Sequence, residues 1–340
     1  MNRAPSVRIF FFAAMAIGLL LAGCASAAPV EPTAASTAEP APTATELPTP
    51  TPLPEKVVLV GGGESNFAAV QALMQELAAQ DGLVFETRPV LEASEITPEW
   101  KIVALLTLPG NLPDLLAAAP QTQFVVVSPV DIQSGANLTV IRVRGEMEAF
   151  TAGYLTALVG YDWRTAGLLP SDTPLGGALS DAFRNGQIYF CGTCNTYYAP
   201  YARFPLVKAL PSASSPLDWQ TAMQEMALSY VYSVYVAPEA ASPELYSYLI
   251  TLNIPITGGA LPPDEVKALY AASIHSDIGS PLQDLWEELL AGQGGKAVNA
   301  DIQISDVNPD LLSPGRQLQA EKMIADLTGG WIDPFSPPLE

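Results

Sequence analysis

The sequence predicts an α/β protein of two lobes arranged as a clamshell, each lobe a mostly parallel sheet covered by helices. Three observations lead there. From residue 56 onwards, short runs rich in valine and isoleucine alternate with longer segments whose apolar residues recur at helical spacing. Alternation over short loops builds a parallel sheet with helices on both faces. The pattern passes through one long helical segment, 145–161, and then starts again, which divides the chain into successive halves. Residues 56–340 make about 285 residues, enough for two lobes or one large domain.

The elements follow in order. Lys56-Val57-Val58-Leu59-Val60 is short, apolar and β-branched, as a buried parallel strand should be. Gly61-Gly62-Gly63 makes the turn, and Ser65 is placed to cap a helix carrying Phe67, Val70, Leu73, Met74 and Leu77 on one side. Strands are expected at 83–87, 102–106, 124–127 and 138–141, with a short helix at 113–119. The long helix 145–161 presents Met147, Phe150, Tyr154, Leu155 and Leu158 on one side. The second half repeats the scheme. Strands are expected at 164–169, 206–210, 231–236, 254–257, 269–274 and 300–304. Helices are expected at 175–188, 219–228, 243–252, 281–290 and 318–327. The first lobe is assigned residues 56–142 and 276–300, and the second 143–275 and 301–340.

Ahead of this body lies a different kind of sequence. Arg3 and Arg8 precede an apolar run of about thirteen residues, 9–21, and then Leu21-Ala22-Gly23-Cys24. Basic residues, a short apolar run and small residues at a cut describe an export signal. Leu-Ala-Gly-Cys resembles the lipobox of bacterial lipoproteins. That resemblance implies removal of residues 1–23, lipidation of Cys24 and anchoring at the extracytoplasmic face of the cell membrane. Residues 24–55 are mostly Ala, Pro, Thr, Ser and Glu, too poor in large apolar side chains to pack a core. Their prolines favour extended polyproline II, so some thirty residues at ~3.1 Å each reach on the order of 90 Å as a semi-rigid tether.

Composition narrows the partners. The chain has 15 Lys+Arg against 35 Asp+Glu, a net charge of −20, and loss of the two leader arginines makes it more negative still. Such a surface repels phosphate backbones, so no nucleic-acid partner is expected, nor flat contact with anionic lipid. No further stretch of eighteen apolar residues follows the leader. Cys191 and Cys194 form a Cys-x-x-Cys, and two thiols this close outside the cytoplasm are expected to be a disulfide. A redox pair of the thioredoxin kind would need a strand before it and a helix after it. Asn195-Thr196-Tyr197-Tyr198-Ala199-Pro200 reads as a loop instead. No metal site is expected, because these cysteines and the single histidine, His275, are the only soft ligands left. One histidine and no Gly-x-Ser-x-Gly elbow also speak against a Ser-His-Asp enzyme. The chain is read as a non-enzyme without a cofactor.

Several segments, taken in order, resemble one family. They are Gln123-Phe124-Val125-Val126-Val127 followed by Asn137-Leu138, then the helix from Glu146 through Gly153-Tyr154-Leu155 to Leu158. Asp181-Ala182-Phe183-Arg184-Asn185-Gly186 follows. Asp306-Val307-Asn308, Pro314-Gly315-Arg316 and Asp326-Leu327-Thr328-Gly329-Gly330 complete the set. Together they resemble the basic-membrane-protein (BMP, PnrA-like) family of substrate-binding lipoproteins, which have the type 1 periplasmic-binding-protein fold and serve ABC importers. The resemblance covers most of residues 56–335. It implies a monomer that closes on a small polar solute, nucleoside-like or other, and hands it to a membrane permease. A binding-protein-like sensor or envelope interaction module is the alternative. The ribose-gripping acids of the family are eroded here. Its Asp-x-Ser-Phe-Asn segment falls near Glu64-Ser65-Asn66-Phe67, an expected acid is Ser128, and another is replaced by Gly258-Gly259.

In a clamshell the ligand sits at the carboxyl ends of the strands. That nominates Gly63, Glu64, Ser65, Asn66 and Phe67 after the first strand, and Ser128 and Asp131 after the fourth. Asp172 and Ala237 follow strands of the second lobe, and Gly259 follows Ile254-Pro255-Ile256-Thr257. Phe67 serves equally well as core packing. Glu146 and Glu148 suit the first turn of a helix, where carboxylates complement the dipole. The aromatics Tyr189, Phe190, Tyr197, Tyr198, Tyr201 and Phe204 crowd the Cys-x-x-Cys loop, as a ligand platform or as the loop's own core.

Overall fold

The computed structural model of the chain describes residues 53–336. The leader, Cys24 and the tether as far as residue 52 lie outside the described residues. The observed architecture is the predicted one: an α/β body with two six-stranded sheets. The first half supplies β1 (Lys56–Val60), α1 (Phe67–Gln80), β2 (Val84–Arg88), β3 (Trp100–Leu105), α2 (Leu112–Ala118), β4 (Gln123–Ser128) and β5 (Leu138–Arg142). The chain then runs through α3 (Gly145–Val159), β6 (Thr165–Pro170), α4 (Gly177–Cys191), β7 (Leu206–Leu210), α5 (Pro216–Ala227), β8 (Ser233–Val236) and α6 (Pro243–Leu252). It ends with β9 (Ile256–Gly258), β10 (Tyr270–Asp277), α7 (Gly279–Leu290), β11 (Ala297–Asn299), β12 (Asp301–Ser305) and α8 (Pro314–Thr328).

The first sheet has the order β11-β5-β4-β3-β1-β2 and is parallel throughout. The second has the order β12-β10-β9-β8-β6-β7 and is parallel except where β12 runs against β10. Side chains alternate between faces along a strand, and the cores follow that period. Val57 and Leu59 pack with α1 and α7, whereas Val58 and Val60 pack with Leu112 and Leu115 of α2. In the second sheet Leu169, Tyr235 and Ile274 meet α3, α4 and α8, while Leu168, Val234 and Ile256 meet α5 and α6.

Three short segments join the sheets. Val143 and Arg144 link β5 to α3, Ile278 links β10 to α7, and Ala300 links β11 to β12. They are tied to their surroundings: Ala300 donates its N–H to the Arg142 carbonyl at 2.8 Å, and Val143 donates to the Ser128 carbonyl at 3.0 Å.

Several boundaries differ from the sequence expectation for local reasons. Asn66, not Ser65, precedes α1, and its side chain makes no capping bond. α5 begins at Pro216, because Ser215 and Asp218 form a reciprocal capping box. β10 extends through the polar residues 275–277, since antiparallel pairing with β12 satisfies its backbone as far as Asp277. β11 is an additional edge strand of three residues. α3 is buried around nearly its whole circumference rather than on one side.

Two features stiffen the second lobe. Gly153 of α3 and Gly186 of α4 lie at a close helix crossing: a Cβ on Gly153 would stand 1.9 Å from the Phe183 carbonyl oxygen, and one on Gly186 would stand 1.9 Å from that of Phe150. The second feature is a buried ion pair, Arg164 Nε to Asp162 at 3.0 Å, with side chains 2% and 0% exposed. Arg164 also donates to the carbonyls of Pro200, Ser229 and Tyr198, and Asp162 accepts the Tyr197 N–H. The pair thereby pins the loop after α4 to the body. The sulfurs of Cys191 and Cys194 stand at bonding distance at the head of that loop, with Cα atoms 5.0 Å apart.

Candidate functional site

A cavity of about 370 Å³ opens where the two lobes face each other. The first lobe contributes Gly63, Glu64, Ser65 and Asn66 from the turn after β1, with Leu106, Val127, Val143 and Ile278. The second contributes Glu148 from α3, Tyr235 from β8, then Pro238, Glu239 and Gly259, and Ile274, His275 and Ser276 from β10. A second cavity of about 360 Å³ shares Ser65, Asn66, Gly259, His275, Ser276 and Ile278 with it and adds Asp277, Gln303, Ser305 and Asp306. Strand ends from both sheets therefore deliver polar groups to one cleft.

The glycine turn has a specific internal task. Gly61 has φ +153°, a backbone conformation that favours glycine, and a Cβ there would also push on the Glu64 carboxylate at 2.8 Å. The Gly62 and Gly63 N–H groups donate to Glu64 Oε2 at 2.8 and 3.1 Å. The turn is thus occupied by the chain's own carboxylate. Asn66 Oδ1 is buried at the cleft and has no hydrogen-bond partner among the described residues.

Glu148 accepts the Ser276 N–H at 2.8 Å and the Ser276 hydroxyl at 2.5 Å, both on Oε1. Burial pushes its carboxyl above the usual range, and the Ser276 donors only partly offset this. Glu239 keeps one side open to solvent, but desolvation by the cavity wall raises its carboxyl too. Tyr235 is buried beside both acids. Burial, then the charges of Glu148 and Glu239, hold its hydroxyl well above the ordinary tyrosine value. Gly259 is required by packing, because a Cβ there would stand 2.6 Å from the Pro238 ring and 3.0 Å from the Tyr235 hydroxyl. His275 lies 3.2 Å from the Gln303 side-chain oxygen.

The predicted site residues divide. Gly63, Glu64, Ser65, Asn66 and Gly259 line the cleft. Phe67 opens α1 and packs against the core of the first lobe. Ser128 and Asp131 line a different cavity of about 390 Å³, with Arg142, Arg144, Glu146 and Asn299, which shares only Val143 with the cleft. There Asp131 pairs with Arg142 at 3.1 Å, Glu146 pairs with Arg144, and the Ser128 hydroxyl donates to the Val130 carbonyl at 2.7 Å. Asp172 is exposed and accepts the N–H and hydroxyl of Ser212 at 2.9 and 2.6 Å, which lowers its carboxyl. Ala237 is buried in the second-lobe core and donates its N–H to the Leu168 carbonyl. Around the cysteine loop Phe190 packs edge-on to Tyr154 and Trp163, and Phe204 is buried, while Tyr197, Tyr198 and Tyr201 are exposed.

Sequence reasoning did not single out Ser276 and His275 as cleft residues, and it placed Tyr235 in packing. The signal was the polar His275-Ser276-Asp277 directly after the apolar run Tyr270-Ala271-Ala272-Ser273-Ile274. Among the described residues no group of three or more His, Cys, Asp or Glu could hold a metal ion. None of their helices is long and apolar enough to cross a membrane.

No protein-family model matches the chain, and no curated protein sequence does. Solved structures do. An ABC transporter solute-binding protein from Conexibacter woesei DSM 14684 is similar with a TM-score of 0.60 at 15% identity, over 82% of this chain and 98% of that one. An ABC transporter solute-binding protein from Aeropyrum pernix K1 gives 0.57 at 13% identity, over 82% of this chain and 87% of that one. A transcriptional activator of the comK gene from Bacillus halodurans gives 0.55 at 12% identity, over 84% of this chain and all of that one. At such identities the likeness establishes the fold, that of the two-lobed periplasmic binding proteins.

Proposed function

We propose that this chain is an extracytoplasmic solute-binding lipoprotein that closes on a small polar ligand and delivers it to the permease of an ABC importer. One observation carries the reading: a polar cleft, lined from both lobes, lies where three short connections are the only covalent links between the sheets among the described residues. A ligand that touches both walls only when the lobes are shut shifts the population toward the shut form. The names of two similar structures, both solute-binding proteins of ABC transporters, support it. So does the lipobox-like Leu21-Ala22-Gly23-Cys24 with its tether. Within that class, the BMP-like order of motifs supports a reading as a PnrA-like lipoprotein. Cys24 bears the anchor, Cys191 and Cys194 are oxidised in that compartment, and the body acts as a monomer without catalysis.

Small-angle scattering tests the hinge directly. A bound solute is expected to reduce the radius of gyration and raise the melting temperature together. A library of nucleosides, sugars, amino acids and amines that does neither overturns the transport reading. Palmitate labelling tests the anchor, with label expected on the wild type and lost in Cys24→Ala.

A second reading has its own support. The same fold occurs in a transcriptional activator, and the ribose-gripping acids of the BMP-like lipoproteins are replaced at Ser128 and Gly258-Gly259. A sensor or envelope interaction module would bind its ligand without needing a permease. Uptake assays in cells lacking this protein separate the two: unchanged uptake of every bound solute favours the sensor.

A further inference from the structure

The two cleft walls differ in kind. The first-lobe wall is largely aliphatic beyond the glycine turn: Leu106, Val127, Val143 and Ile278. The second-lobe wall carries Glu148 and Glu239, both within charge reach of Tyr235. No lysine or arginine lines this cavity or the one that shares six residues with it, although carboxylates from Glu64, Glu148, Glu239, Asp277 and Asp306 do, and the two arginines of the cavity beyond Val143 are paired with Asp131 and Glu146.

The hydrogen-bond inventory sharpens the point. Most local donors are already taken by these acids. Gly62 and Gly63 serve Glu64, Ser276 serves Glu148 Oε1, Ser280 serves Asp277, and Ser273 and Ser305 serve Asp306. Glu148 Oε2 and the Glu239 carboxylate line the cleft with no protein partner among the described residues, beside the hydroxyls of Ser65 and Tyr235, and Asn66 Oδ1 lies enclosed at its edge, also without a partner. A buried carboxylate without a cation is costly. A neutral polyol can hydrogen-bond to these groups but leaves the carboxylate charges unpaired. A chain of net charge −20 further concentrates cations at its mouth and repels anions.

From this geometry we infer that the cleft takes a protonated primary or secondary amine with an apolar or aromatic body, its ammonium against Glu148 and Glu239 and its body against the aliphatic wall. This deepens the solute-binding reading and rests on it. A protonated primary or secondary amine carries at least two N–H donors, enough for Glu148 Oε2 and the Glu239 carboxylate, and charge-assisted bonds of this kind are about twice as strong as neutral ones. Burial raises both carboxyls in the free protein, with the Glu239 charge adding to the rise at Glu148 and the Asp172 charge to that at Glu239. An entering cation removes that penalty, so affinity comes from relieving an unpaired charge as well as from contact.

The experiment uses matched pairs on the full chain: tyramine with tyrosol, phenethylamine with phenethyl alcohol, and putrescine with 1,4-butanediol. Ribose and adenosine serve as neutral references. Melting temperature and calorimetric affinity are read at low salt, where surface charges are least screened. The expected result is that amines stabilise and bind at least about tenfold tighter than their alcohols, the worth of one charge-assisted hydrogen bond. Glu239→Gln, at the open edge of the wall, is expected to erase that difference without altering the fold seen by circular dichroism. Glu148→Gln keeps an acceptor for Ser276 and serves as the second variant. Equal binding of alcohols or nucleosides, or amine binding untouched in both variants, overturns the amine assignment and leaves solute binding standing. Failure of every amine, polyol and nucleoside overturns both readings.

Discussion

Glu148 shows how one residue's surroundings set its behaviour. Its folded carboxyl lies above the ordinary 4.5 because burial outweighs the two Ser276 donors, with His275 helping the charge and Glu239 opposing it. A carboxyl raised by folding contributes stability below its unfolded value, and that contribution is lost as pH rises through the folded value. Glu148→Gln, which retains an oxygen for Ser276, is therefore expected to melt higher than wild type at pH 7 and to gain less on acidification toward pH 5. Melting curves across that range check it. The pair Arg164–Asp162 has the opposite character, since it is fully enclosed and every arginine nitrogen is engaged. Removing one member strands a buried charge, so Asp162→Ala is expected to cost about 3–5 kcal/mol in urea unfolding and to loosen residues 192–205 to proteolysis. The sequence showed neither role. Glu146 and Glu148 read alike as first-turn carboxylates, yet residues two apart on a helix do not share a face, and here one meets Arg144 and the other the cleft. Contact between Glu148 and Ser276 spans 128 positions, beyond any local pattern.

Elements were most legible where they carried their own punctuation. α6 occupies Pro243–Leu252 as expected, because Ser242 caps it, Pro243 fits the first turn, and Asn253 leaves in the left-handed region at φ +51°. Ser242 accepts the Leu245 N–H at 3.3 Å, and Ser242→Ala is expected to cost about 1 kcal/mol of stability by chemical denaturation. α5 was missed by three residues at its start, although Ser215-Pro216-Leu217-Asp218 carries a readable capping box. β11 was not legible, for three residues at a sheet edge make no period. The crossing of α3 and α4 lies between these cases. Gly153 and Gly186 sit in segments that resembled a family pattern, but only the structure shows each facing a carbonyl of the other helix. Backbone cannot give way as a side-chain tip can. Gly153→Ala is thus expected to cost at least the ~1–3 kcal/mol of ordinary overpacking, with thermal unfolding as the readout and Gly63→Ala, where a Cβ meets nothing within 4 Å, as the control.

At the scale of the molecule, two lobes could be read because apolar strands and amphipathic helices alternate twice. The cleft could be read only in part, since the turn after β1 was expected there while Ser128 and Asp131 belong to a neighbouring cavity with two arginines. The interleaved connections have one more effect. The first sheet's inner face, with Val57, Leu59 and Ile102, is closed by Leu282, Leu285 and Trp286 of α7, and its edge by β11. These arrive only after the whole of β6 to β10. A chain made or exported from its amino terminus therefore carries five strands whose greasy flank is covered by α1 alone while some 130 further residues emerge, a state prone to aggregation. A chain ended at residue 278 should stay open to protease and bind hydrophobic dyes, whereas the full chain should not. In a cell, such a polypeptide would call on a holdase for as long as its last quarter is still on the ribosome or in the translocon.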